Sequence, residues 1–311
     1  MIAKRDTWGV IYCPTEGGWR SKRRWQRMVS YLERSGQPFD FVRSEGEGGV
    51  ERLAAMLTEN GYGTILVVGG DAALGDALNG IISATPPGMD YPALGVVPNG
   101  LINDFANFWG LRSKAPEAAL ERLLHGRTMR VDVGEVRMMT LTGEALRRYF
   151  LNCVNVGLVA DVVKQTRRNH SLWRGMRLLR DLTSALMLMI ARPAARMEYR
   201  INGQSYSRVH TAFCIGSATG FGQTPSAVPY NGQFDVSAVK RPTLLHVFTA
   251  LSLLLNRRFL SQKGISVWRT PAVEISHVGG ARVSVDGHAI HRRIASLEAE
   301  IHPSMIRFLI P

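Results

Sequence analysis

Two short apolar runs that each break on a glycine turn and lead straight into a helical pattern constrain this chain more than any other feature. Both lie within Thr64–Gly110. Ile65–Val68 is a β-branched run that stops at Gly69-Gly70, the pattern of a buried parallel strand ending in a tight turn. Leu74, Leu78, Ile81 and Ile82 then recur at helical spacing, and Asp71 stands where an N-cap is expected. Ala93–Val97 repeats the strand and Pro98 with Gly100 the turn. Asn103 or Asp104 is then expected to cap a helix carrying Phe105, Phe108 and Trp109. Strand, glycine turn and helix N-terminus form a geometry that receives phosphate, because backbone N–H groups point outward and the helix dipole favours an anion. Two such turns from neighbouring strands belong at the carboxyl edge of one sheet, where open α/β sheets bind ligands.

This pair resembles the two nucleotide-site motifs of the diacylglycerol kinase catalytic-domain superfamily, which includes bacterial lipid kinases and the sphingosine and ceramide kinases. The family pattern is GGDGT followed by P-x-G-T-x-N-D-x-A-R. The chain keeps Gly69, Gly70, Asp71, Pro98, Gly100, Asn103, Asp104 and Ala106, and departs at Ala72, Ala73, Leu101 and Asn107. The plain alternative is an unrelated βαβ protein with glycine turns and capped helices. The resemblance implies a nucleotide site made of Gly69, Gly70, Asp71, Gly100, Asn103 and Asp104. It adds Ser44, which stands where the family has a nucleotide-contacting threonine.

Charge narrows the partners. Lys plus Arg number 38 against 25 acidic residues, a net charge of +13, which calls for an acidic partner: nucleic acid, an anionic membrane surface or a phosphorylated ligand. No nucleic-acid motif accompanies the charge, so that partner is set aside. Cys13, Cys153 and Cys214 are odd in number, widely spaced and set in apolar runs, which suits buried thiols in a reducing compartment rather than a zinc site. The first residues lack the apolar core of a signal peptide, and the longest apolar runs, Leu182–Ala191 and Leu244–Leu255, are too short to span a bilayer. The expectation is a cytoplasmic chain with the option of resting on the inner face of the membrane.

Taken in order, Gly9–Cys13 reads as a first strand, Gly17-Gly18 as a turn, and Trp25, Met28, Val29 and Leu32 as the apolar stripe of a helix. Phe39–Val42 and Val50–Leu57 continue the alternation. Residues 1–130 are therefore expected to be a doubly wound α/β nucleotide-binding domain. Short strands with glycine turns dominate residues 131–303: Tyr149–Val156, Ala194–Ile201, Val209–Ile215, Phe234–Val239, Ile265–Trp268, Val273–Ile275 and Ala281–Val285. They predict a β-sandwich-like second domain with helical insertions. By resemblance, Asp132, Phe150, Asn152 and Gly157 fit the entry into that domain, Gly220-Phe221-Gly222, Pro225 and Ala227 match a later glycine-rich run, and residues 304–311 return as a strand to the first domain. Within His170–Ile190, apolar residues at three- and four-residue steps lie beside Arg174, Arg177 and Arg180. That segment reads equally as a membrane-surface helix and as a helix packed on the second domain.

The resemblance implies ATP and Mg2+ as cofactors, a lipid substrate, and a base supplied by the second domain; a homodimer stays open. The base would come from Asp286 and His288, where the family has D-G-E. If that backbone is extended, positions 286 and 288 share a side, and a histidine is a competent base near neutral pH. The plain reading of the pair is a turn aspartate beside an exposed histidine. Asn231 replaces an aspartate of the family's structural metal site, which puts that magnesium in question. Ala72 would clash if its backbone sat at positive φ. Ala73 and Leu101 remove two hydroxyls, each hydrogen bond contributing about 0.5–1.5 kcal/mol. Two functional readings follow: an ATP-dependent lipid kinase, and a catalytically impaired lipid-binding relative with a regulatory or carrying role. An NAD-kinase-like enzyme ranks below both, because the N-D-F-A run and the late D-G segment suit the lipid kinases better.

Overall fold

The computed structural model describes residues 4–14, 19–46, 48–100, 102–112, 116–168, 194–240 and 264–311. The Gly17-Gly18 turn, Leu101, the His170–Ile190 segment and the apolar runs Leu182–Ala191 and Leu244–Leu255 lie outside them. The chain divides into two compact units, Met1–Val133 with Pro303–Pro311, and Gly134–His302.

The first unit alternates strand and helix: β1 (Trp8–Tyr12), α1 (Trp19–Ser35), β2 (Phe39–Arg43), α2 (Gly49–Glu59), β3 (Thr64–Gly69), α3 (Asp71–Ala84) and β4 (Ala93–Pro98), then the short α4 (Asp104–Phe108) and α5 (Pro116–Leu124). Strands β1 and β3, and β3 and β4, pair in parallel, and β2 joins the outer side of β1. Val10, Ile11, Ile65, Leu66, Val67 and Leu94 are wholly buried, as befits strands covered on both faces. Helix α1 buries Trp25, Met28 and Leu32, with the Trp25 ring stacked on Tyr12 at 4.4 Å. The α/β reading of this part is borne out.

The second unit is strand-rich, as expected. Strand β5 (Arg127–Thr140) leads into it, followed by β6 (Ala145–Phe150), β7 (Cys153–Gly157), α6 (Leu158–Arg168), β8 (Ala195–Ile201), β9 (Gln204–Gly216), β10 (Phe234–Lys240), β11 (Ile265–Thr270), β12 (Ala272–His277), β13 (Val283–Val285) and β14 (His288–Ala289). The last strand, β15 (Ile294–Ile310), begins in this unit. The pairings within the unit are antiparallel, and β9 is the trunk: its first half pairs with β8, its second half with β7 and β10. Alternate residues of β7, β9, β10, β12 and β15 point into one apolar core around Phe150, Phe213 and Phe234.

Two differences from the sequence expectation have physical causes. The single strand expected over Tyr149–Val156 is broken at Leu151 and Asn152, because those two N–H groups and that of Cys153 are taken by the Asp286 carboxylate. The last strand is also longer than expected. Leu297, Ala299 and Ile301 alternate into the second unit's core, and Phe308 then pairs with Leu94 of β4 in the first. Ser304, at φ 52°, bends the strand, and its N–H donates to Asp132 Oδ1 at 2.9 Å.

Candidate functional site

In the first unit the two glycine turns are locked together backbone to backbone. The Asn99 N–H donates to the Gly69 carbonyl at 2.8 Å, and the Asp71 N–H to the Ile102 carbonyl at 3.0 Å. A Cβ on Gly100 would lie 2.3 Å from Gly70 Cα, and a Cβ on Gly70 would lie 2.6 Å from the Ile102 carbonyl oxygen. Both glycines are therefore required by the approach of one turn to the other. Asn103 closes its own turn, accepting from the Gly100 N–H and donating to the Gly100 carbonyl.

Asp71 does not cap the helix that it opens. Gly70 is the N-cap of α3, and Asp71 is the first helical residue. Its buried carboxylate reaches 33 residues on, to the N-terminus of α4, accepting from Asp104 N–H at 2.8 Å and Phe105 N–H at 3.3 Å. Asn103 is the N-cap of α4 by position but makes no side-chain capping bond there. Asp71 thus supplies by tertiary contact what the local residue does not. Its carboxylate is directed at the N-terminus of α4, where the helix dipole favours it.

The other nucleotide-site expectations gather at the same sheet edge. Ser44, just after β2, has its side chain beside the Cys13 thiol and donates its N–H to the Tyr12 carbonyl at 2.9 Å. Burial pushes Cys13 up to about 11, the Ser44 contact opposing this and the Asp76 charge adding to it. Composition gave no sign of this Cys13–Ser44–Asp76 cluster. Ala72 lies in the first turn of α3 and is not among the residues at positive φ, so the feared clash does not arise. Ala73 packs where a Cβ on Gly69 would meet it at 2.9 Å, a methyl group beside the turn where the family motif has a hydroxyl.

In the second unit, Asp286 and His288 are not on one extended strand. Val283–Val285 and His288–Ala289 form a hairpin with Val285 opposite His288, and Asp286 and Gly287 fill its two-residue turn at φ 46° and 83°. Asp-Gly favours such a turn because both positions need positive φ. The Asp286 carboxylate is buried and accepts from the Leu151, Asn152 and Cys153 N–H groups at 2.8, 2.9 and 2.9 Å. Burial pushes its carboxyl up to about 6, against the pull of those three N–H groups and of His288. Asp286 therefore holds backbone, and the half-exposed imidazole of His288 is the group beside it that can meet a ligand.

Asn152, anchored in this way, accepts from the Gly220 N–H at 2.9 Å through its side chain. Asn155 accepts from Gln223 Nε2 at 2.6 Å. The glycine-rich run at 220–222 is thereby tied to the strand break at 151–152. Asn155 and Gln223 carry no direct signal in the chain, because buried amides become informative only once their partners are known.

Asn231 sits in an exposed turn, its side-chain oxygen accepting from the Gln233 N–H at 3.0 Å. Among the described residues no group of three or more His, Cys, Asp or Glu could hold a metal ion. One exposed amide is by itself a poor ligand set for magnesium. No helix among the described residues is long and apolar enough to cross a membrane.

Residues 7–136 match the family model of the diacylglycerol kinase catalytic domain. A Staphylococcus carnosus protein named diacylglycerol kinase is 24% identical over 290 residues, spanning 89% of this chain and 87% of the relative. A Staphylococcus haemolyticus protein of the same name is 25% identical over 282 residues, spanning 89% and 81%. A crystal structure from Bacillus anthracis str. Sterne aligns with a TM-score of 0.74 at 17% identity, covering 98% of this chain and 97% of that one. Another, described as a diacylglycerol kinase from the same strain, aligns at 0.67 and 15%. The structural likeness shows the fold, and the resemblance read from the two glycine motifs is borne out.

Proposed function

We propose that this chain, like the lipid kinases that it resembles, is an ATP-dependent kinase phosphorylating the hydroxyl of a lipid such as diacylglycerol, a sphingoid base or ceramide. The observation that carries the reading is the pair of interlocked glycine turns, which Asp71 ties to the N-terminus of α4. The turns open on the N-terminus of α3, a helix of 14 residues whose dipole favours an anion. The backbone of a phosphate cradle is kept, while Ala73 offers no hydroxyl to it.

Bound there, ATP would supply the phosphoryl group to be transferred. Gly69, Gly70 and Gly100 would let its phosphates approach the backbone, and Ser44 would add a hydroxyl. In phosphoryl transfer, placement and charge neutralisation do most of the work. His288 would take the proton from the acceptor hydroxyl at an imidazole nitrogen. Asp286 would act one step back, fixing the hairpin and the strand break at 151–152. The acceptor is a membrane lipid, and the net charge of +13 suits work at an anionic bilayer surface.

Ala72, Ala73 and Leu101 favour a second reading, a lipid-binding relative whose nucleotide site has decayed. Calorimetry with ATP, with and without magnesium, separates the two. Micromolar binding, followed by phosphorylation of a lipid in mixed micelles that is lost in His288→Ala, supports the kinase. No detectable binding at millimolar ATP overturns it and leaves the lipid-binding relative.

A further inference from the structure

The Pro98-Asn99-Gly100 turn holds a buried amide that neither the fold nor the proposed chemistry uses. Asn99 follows β4 directly, and its backbone N–H donates to the Gly69 carbonyl at 2.8 Å, so its main chain lies where the two glycine turns meet. The residue is only 6% exposed, and its Nδ2 is shut off from solvent with no hydrogen-bond partner. A buried N–H left unpaired is destabilising, and such a group in a native fold calls for an occupant.

Two other polar side chains of these turns are already committed. The Asp71 carboxylate accepts from the Asp104 and Phe105 N–H groups. The Asn103 amide accepts from the Gly100 N–H and donates to the Gly100 carbonyl. Of the three, Asn99 is the one with a buried polar atom that bonds nothing. Its position also bears on what the chain lacks. The family pattern P-x-G-T leaves the place of Asn99 open, and it has hydroxyl side chains where this chain has Ala73 and Leu101. Two hydroxyls are missing from the turns, and an amide stands at a place that the pattern does not prescribe.

We propose that Asn99 is a phosphate-binding residue particular to this chain, its Nδ2 donating to a phosphate oxygen of the nucleotide. The inference rests on reading the glycine turns as the nucleotide site. A phosphate oxygen suits the place, because the turn abuts Gly70 and α3 starts at the next residue, its dipole favouring an anion. A hydrogen bond to a charged oxygen is about twice as strong as one between neutral groups. One amide can therefore offset much of what two hydroxyls would contribute. An ordered water is the other occupant that would satisfy Nδ2.

The test uses two variants of the full chain. Asn99→Leu replaces the amide with an apolar group of nearly the same shape, and Asn99→Asp sets a carboxylate there. Wild type and both variants are titrated by calorimetry with ATP and with inorganic tripolyphosphate, and are melted without ligand. Asn99→Leu should bind both probes at least about tenfold more weakly than wild type. With no unpaired amide left to bury, it should melt at or above the wild-type temperature. Stability kept or gained while affinity falls is not the signature of a purely structural residue. Asn99→Asp should bind more weakly still, by repulsion between like charges. Wild-type affinity in Asn99→Leu overturns the proposal and leaves an ordered water as the partner of Nδ2. A loss of binding that comes with a lower melting temperature overturns it too, and makes the amide part of the fold. The kinase reading fails separately. If wild type binds tripolyphosphate but not ATP, and Asn99→Leu loses that binding, the kinase reading falls and Asn99 stands as a phosphate ligand. If wild type binds neither, both fall.

Discussion

Replacing Asp71 with alanine would test whether this residue serves the ligand or the fold. The carboxylate accepts two N–H groups of α4 while only 3% exposed, so water cannot take its place. Losing a helix-capping acceptor costs about 0.5–2 kcal/mol, and each buried N–H left unpaired costs about 1–3 kcal/mol. Asp71→Ala should therefore destabilise the first unit by about 3 kcal/mol. Asp71→Asn keeps one acceptor oxygen and should cost about half as much. For a unit of this size, about 3 kcal/mol corresponds to a fall in melting temperature of about 10 °C. Thermal and urea unfolding of wild type and both variants at pH 7, without nucleotide, would measure it. If Asp71→Ala melts within about 2 °C of wild type yet has lost ATP binding, the carboxylate serves the ligand and the cross-capping argument fails.

Gly100→Ala places a Cβ against Gly70 backbone atoms that cannot rotate away, and should cost about 2–3 kcal/mol by urea unfolding. Ala72→Gly, which would restore the family residue, should lower stability by about 1 kcal/mol without strain relief, because Ala72 is helical; a rise in melting temperature would contradict this. The Asp286 carboxyl, raised from 3.8 to about 6, holds its proton more tightly in the fold than in the unfolded chain. Its contribution is complete below pH 4 and is lost as pH rises through 6. The stability cost of Asp286→Asn should accordingly shrink by about 3 kcal/mol between pH 4 and pH 7; a cost that grows with pH would show the carboxylate to be held ionised by its three N–H donors.

The strand-turn-helix units of the first unit were legible because each is encoded locally. Ile65–Val68 and Ala93–Val97 are buried on both faces and carry no polar interruption, and the glycines stand at the points of closest approach. What the chain conceals is where side chains spend their bonding capacity. Asp71 sits where an N-cap is expected, yet caps a helix that starts 33 residues later. The strand break at Leu151 is caused by a carboxylate 135 residues away, so no window around Tyr149 could reveal it. The Asp286-Gly287 hairpin was locally encoded by its dipeptide. The plain reading of a turn aspartate holds there, and the extended backbone that would set Asp286 and His288 on one side does not.

Strand β15 also imposes an order on synthesis. The sheet of the first unit is built from segments before residue 100 and from a strand around Phe308, whose ring lies 5.0 Å from Phe105 and 6.3 Å from Trp109. On the ribosome, β1–β4 emerge long before that strand exists, so the edge of β4 must wait, unpaired, while the whole second unit is translated. A stop codon anywhere between Gly134 and Pro303 would therefore damage the first unit as well as the second. Two fragments divided after Val133 would rebuild the first unit only if the fragment carrying Pro303–Pro311 donated its final strand in trans.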